Sequence, residues 1–282
     1  MEVVWMMQLL MRKFYKNIFY QRGKTMKKII TACMTSALIF GSSIASAEDD
    51  FEISANVALA SNYLFYGASQ TAGNGTNDGG PAISGGFDAA LPFEIFGGQM
   101  YVGTWASNVE WGAGTNSASI ELDYYGGFAG DSIGSSGISW DVGAWSYSYP
   151  GQNDAADATE DFDYIEIYGN FGYTFESMAL APSLSVGIYY SPDYFGSTNE
   201  SYHIPVGIDI ALPADFGLSL GYGYFNVDNN TNQDDYSYYS VGIGKSIVGV
   251  DLSASWTGAT DDCGAVQATN CGGFVFGVSK AF

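Results

Sequence analysis

Basic residues are what this 282-residue chain has least of: nine Lys and Arg stand against 30 Asp and Glu. Seven of the nine lie at or before Lys28, which leaves only Lys245 and Lys280 beyond it. Contacts to nucleic-acid phosphates need clustered basic side chains, so nucleic acid is excluded as a partner. Histidine occurs once, at His203. Ser201 shares its strand face, but nucleophilic catalysis needs a positioned nucleophile, base and orienting group. A rim residue is the plainer reading, and no enzymatic activity is expected. No apolar run approaches the roughly 18 residues of a membrane-spanning helix. Calcium-loop spacing and a Gly-rich phosphate cradle are also missing, so neither a metal nor a cofactor is expected.

Cysteine is scarce too, with three in the chain. Cys33 belongs to an N-terminal segment that reads as a secretory signal: Met26, Lys27 and Lys28, an apolar run from Ile29 to Phe40, then Ala45-Ser46-Ala47. Cleavage is expected after Ala47. That divides the chain into 1–25, a mis-called start or extended n-region, 26–47, the signal peptide, and 48–282, the mature domain. The mature part has two basic residues against 29 acids, a formal net charge of −27. Cys263 and Cys271 fall in one segment, DDCGAVQATNCGG, without CxxC spacing. In an exported chain a disulfide closing that loop is the default expectation, with free thiols as the alternative.

What is abundant is alternation. Ile53, Val57, Leu59, Tyr63 and Phe65 are spaced by Ser54, Asn56, Ala58 and Asn62, a period of two that is long for a soluble half-buried strand. The pattern returns at Ile83 and Phe87; at Tyr101, Trp105 and Val109; at Ile120, Leu122 and Tyr124; and at Ile138, Trp140 and Val142. It continues through about twelve segments to the C-terminal GGFVFGVSKAF, where Phe274, Phe276 and Val278 alternate with small residues. Long polar connections such as PGQNDAADATED and DNNTNQDD alternate with short ones such as LPADFG and SIVGV. Together these predict an all-β, antiparallel, up-and-down transmembrane β-barrel of about 12 strands.

Aromatic residues cluster where such strands would meet the two interfaces. Tyr63, Phe65, Trp111, Tyr190, Tyr202, Tyr224, Trp256 and Phe274 stand beside long loops; Phe93, Phe128, Phe175, Phe216 and Phe282 stand beside short turns. An even strand count puts both termini in the periplasm of a Gram-negative cell. Outer-membrane lipid and lipopolysaccharide are then the surrounding partners, and Phe282 the signal for the barrel-assembly machinery. Two acidic stretches, Glu160, Asp161 and Asp163, and Asp234 with Asp235, read as solvated loops.

The stretches SANVALASNYLFYGASQ, GTWASNVEWG, ELDYYGGFAG, DVGAWSYSYPG, YYSPDYFG and the terminal GVSKAF follow one another in an order that resembles the TorF-like porin family, a proteobacterial family of unknown function. The resemblance spans the mature chain and implies an outer-membrane barrel more firmly than any transported solute. One position departs: Tyr66 stands between Phe65 and Gly67, where the family usually has Arg.

Parity assigns the acids to a face. If Phe87, Val109, Leu122, Val142, Ile165, Ile208 and Val250 point to lipid, then Asp88, Glu110, Glu121, Asp123, Asp141, Glu166, Asp209 and Asp251 point to the lumen. Carboxylates facing lipid would be costly. No lysine or arginine shares the inner face, so a hydrated lumen would favour cations. Trp145, Tyr147, Tyr149, Tyr168 and Tyr189 also point inward, and the interior is either a narrow passage or too crowded to conduct. The expectation is a narrow, passive, cation-preferring porin for small solutes or ions. The alternative is a non-conducting barrel whose acidic outer loops bind ions, surface glycolipid or an external partner.

Overall fold

Alternating side chains become an outside and an inside when a sheet closes on itself, because closure satisfies every backbone donor and acceptor without an edge. The computed structural model describes residues 52–72, 80–111, 118–152, 162–227, 235–260 and 271–282. The proposed signal peptide, the residues before it and Cys263 lie outside the described residues.

The strands are β1 (Glu52–Ala60), β2 (Leu64–Phe65), β3 (Ala68–Ser69), β4 (Ala82–Ile95), β5 (Gly98–Asn108), β6 (Ile120–Gly130), β7 (Ser139–Ser148), β8 (Tyr164–Thr174), β9 (Ser183–Ser191), β10 (Ser201–Leu212), β11 (Phe216–Val227), β12 (Tyr236–Ile247), β13 (Val250–Ala259) and β14 (Gly273–Ala281). Twelve of them form one closed antiparallel barrel in sequence order, all except β2 and β3. Closure joins β1 to β14, with Asn56 opposite Ala281 and Ala60 opposite Gly277. The terminal Phe282 extends this seam by exchanging backbone hydrogen bonds with Ala55, at 2.9 and 3.3 Å.

One end of the barrel is made of tight turns. Phe96-Gly97 and Val248-Gly249 each have positive φ at both residues, which matches the right-handed twist of the strands they join. Both ends of the described chain lie at this short-turn end, and the strand ends that lead into the long connections lie at the other. Outside, Ile165, Ile167, Val186, Ile188, Ile204, Val241, Ile243, Phe276 and Val278 form an exposed apolar band, as hydrocarbon requires. Tyr190 with Tyr202, and Tyr239 with Trp256, make ring contacts on the long-loop side. On the short-turn side Lys245 lies 4.7 Å over the Phe216 ring and Lys280 5.0 Å over Phe282, their stems along apolar surface.

Two expectations are corrected. The first alternating run does not continue as a membrane strand to Phe65: β1 ends at Ala60, and the chain turns into the barrel to form the β2–β3 hairpin. Local polar groups hold that turn. Asn62 Oδ1 accepts from Ser69 and Thr71 hydroxyls at 2.7 and 3.0 Å, and the Tyr63 N–H donates to Thr71 Oγ1. Tyr66 (φ +47) and Gly67 (φ +84) form its tip. Tyr63 and Phe65 therefore belong to the interior. So does Trp111, which packs on Tyr149, Phe162 and Phe195.

The second correction concerns β5. Trp105 and Val109 are buried and Tyr101 reaches across the interior to Asp141, so this strand presents Val102, Thr104 and Ala106 outward. Its bulky residues are the ones with interior partners, and parity judged by size alone assigns them to the wrong face. Glu110 consequently lies beyond the end of β5, exposed, with its N–H bonded to the Gln70 carbonyl instead of facing the lumen.

Candidate functional site

The interior divides into two regions along the barrel axis. In the long-loop half the hairpin tip lies among rings supplied by β5 through β12. Tyr63 meets Trp105 edge-on at 5.4 Å, Phe65 stacks on Tyr66 at 3.9 Å, and Tyr66 lies 3.7 Å from His203 and 5.4 Å from Phe225. Tyr125, Trp145, Tyr147 and Tyr164 continue as a stacked series on β6, β7 and β8, at 4.0, 6.0 and 4.3 Å between centroids. The long rings fit because the wall opposite them is locally glycine: a Cβ at Gly103 would run into Tyr125, and one at Gly223 into Tyr238.

Three carboxyls are enclosed in that aromatic mass: Asp123 is 0 % exposed, Glu166 1 % and Glu121 2 %. Glu121 Oε1 accepts from the Tyr63 hydroxyl at 2.7 Å. Glu166 Oε2 accepts from Tyr66 at 2.8 Å and from Tyr147 at 2.9 Å, while its Oε1 has no hydrogen-bond partner. Asp123 sits opposite Trp105 on β5 and Tyr147 on β7. Neither of its oxygens meets a donor in hydrogen-bonding geometry, although the Trp145 indole lies against it. Burial first, and then the facing carboxylate, push the Tyr63 and Tyr66 phenols above their ordinary range, so the hairpin presents protonated donors to Glu121 and Glu166.

His203 is buried rather than at a rim. Its Nε2 lies 2.9 Å from the Tyr238 hydroxyl, and among the described residues its Nδ1 has no hydrogen-bond partner. Sequence reasoning missed Tyr66, Trp105 and Tyr238 as interior groups. Only the unusual LFYGAS stretch, with Gly67 after three bulky residues, hinted at a turn.

The short-turn half is different. Asp88 accepts from Tyr125 at 2.5 Å, and Asp141 from Tyr101 at 2.7 Å, with Tyr168 bonded to the same Tyr101 hydroxyl. Asp209 and Asp251 share this half, and all four acids are partly exposed. The wall around them is small: Asp209 lies opposite Ser183 and Ser219, and Asp251 opposite Ser246 and Ser279. Neither Lys245 nor Lys280 faces inward, so among the described residues the inner wall carries carboxyls and no lysine or arginine.

No group of three His, Cys, Asp or Glu side chains among the described residues is close enough to hold a metal ion. The acids expected to line one continuous path thus separate into a buried trio, Glu121, Asp123 and Glu166, a partly exposed quartet, Asp88, Asp141, Asp209 and Asp251, and Glu110 outside.

Among solved structures, the chain is similar to the KdgM porin at 11 % identity, covering 81 % of this chain and 99 % of that one with a TM-score of 0.48. For the NanC porin the figures are 5 %, 82 %, 99 % and 0.49. For OccAB3 of Acinetobacter baumannii they are 11 %, 84 %, 66 % and 0.44. No curated protein matches the sequence. Residues 44–282 match a bacterial protein family of unknown function, Gcw_chp, and the chain belongs to that family.

Proposed function

We propose that this protein is an outer-membrane porin that passes small cations or small solutes through a narrow, cation-preferring interior, with both termini in the periplasm. The observation that carries the reading is a closed barrel whose described inner wall bears carboxyls and no lysine or arginine. Uncompensated acids in a confined, hydrated space concentrate cations and oppose anions. The resemblance of the sequence to TorF-like porins agrees with this. Asp88, Asp141, Asp209 and Asp251, being partly exposed, are the groups that would meet ions, whereas the hairpin and its ring of tyrosines make the constriction. Phe282, on the closing seam, is the residue we assign to recognition by the barrel-assembly machinery. A Cys263–Cys271 bridge in an outer loop belongs to the same proposal, and labelling of both thiols only after reduction is the expected result.

The test is a planar bilayer with a salt gradient. Discrete channels with a reversal potential of the cation-selective sign are expected, and anion selectivity would overturn the reading. The non-conducting alternative is favoured by one feature, the packing of residues 61–72 into the long-loop half. Silence of the wild type, persisting after the hairpin is removed, would establish that alternative.

A further inference from the structure

The enclosed trio is a costly arrangement. Carboxyls taken out of water need opposite charge or full hydrogen bonding, and here Asp123 has neither while Glu166 has one oxygen unserved. Glu121 and Asp123 are two residues apart on one face of β6, about 7 Å, and Glu166 is on β8 two strands away, about 10 Å. No group of three such side chains among the described residues is close enough to hold one metal ion. The spread suits a flexible chain with several ammonium groups, whose primary amines donate up to three hydrogen bonds and secondary amines two.

We infer that Glu121, Asp123 and Glu166 form a binding site for a linear polyamine. The inference rests on the proposed passage for how the amine enters, and it extends that reading by naming a solute class. The phenols of Tyr63 and Tyr66 hold two of the three carboxyls, so the hairpin occupies the place of the amine and leaves when it binds. The unserved oxygens of Asp123 and Glu166 are those the phenols do not reach.

The experiment is equilibrium dialysis of radiolabelled spermidine against the full-length protein in detergent. Ionic strength near 0.15 M limits the range of loop charges to about 8 Å. One saturable class is expected, weakened about tenfold or more by E121Q/D123N and strengthened severalfold by Y63F/Y66F, which removes the competing donors. Equimolar Mg²⁺ should not displace it. Absence of saturable binding, binding unchanged in E121Q/D123N, or equal displacement by Mg²⁺ would overturn the inference. Heat-modifiable migration on gels reports folding of each variant, and E166Q carries the same test should the double variant fail to fold. Because dialysis needs no conduction, a silent bilayer would remove the porin reading without touching this result.

Discussion

The two halves of the interior share one backbone and one alternation, yet one is packed and the other small-walled. On β10, His203 and Gly207 both point inward; the first is enclosed by Tyr66, Tyr189 and Tyr238, and the second faces Ser185 and Gly221. The difference teaches that parity decides which residues face inward, whereas side-chain volume decides whether a 12-stranded barrel has any lumen at a given level. It also separates the roles of its acids. Those in the packed half are enclosed, and those in the small-walled half are partly exposed.

Removing the hairpin should break the contrast most strongly. Replacing residues 62–71 by a short Gly-Ser linker is expected to raise single-channel conductance severalfold while heat-modifiable gel migration is kept, since β1 and β4 pair along nine residues without the hairpin. Unchanged conductance would show that the long-loop half is not the constriction.

Charge removal sharpens the comparison. D209N/D251N should shift the reversal potential toward zero more than E121Q/D123N does, because only the first pair is exposed in the small-walled half. The shift should shrink from 0.1 M to 1 M salt as the screening length falls from about 10 Å to about 3 Å. An equal or larger effect of E121Q/D123N would place the buried trio on the conducting path.

Filling the glycine that receives a ring should destabilise the packed half. G223A forces Tyr238 away from the wall and is expected to cost about 1–3 kcal/mol, read as a lower unfolding midpoint. G249A, in the exposed turn at φ +74 with nothing nearby, tests strain without crowding and should cost less. The smallest effect is expected from K245A, which loses a partly exposed ammonium–ring contact on Phe216 worth about 0.5–1 kcal/mol and leaves selectivity unchanged.

Much of the architecture was legible because a barrel is written in a local code. Period two from Ile165 to Tyr173, or from Phe274 to Val278, fixes the face of every residue once one side must meet lipid, and the alternating long and short connections fix the pairing of neighbours. The code failed where interior contacts outweighed size, at Tyr101, Trp105 and Val109, and where a strand-like run left the sheet, at Asn62 to Ser69. Both failures depend on partners far away in sequence: Tyr63 on Glu121, Tyr66 on Glu166, Tyr236 on the Tyr66 carbonyl.

The sequence by itself determined a closed antiparallel barrel of about 12 strands and an interior with carboxyls and no lysine or arginine, since both follow from alternation and composition. Only the tertiary structure decided which carboxyls are enclosed and which are exposed. A chain that folds inward chooses its contacts among residues 58 to 170 positions away, and no local period records that choice.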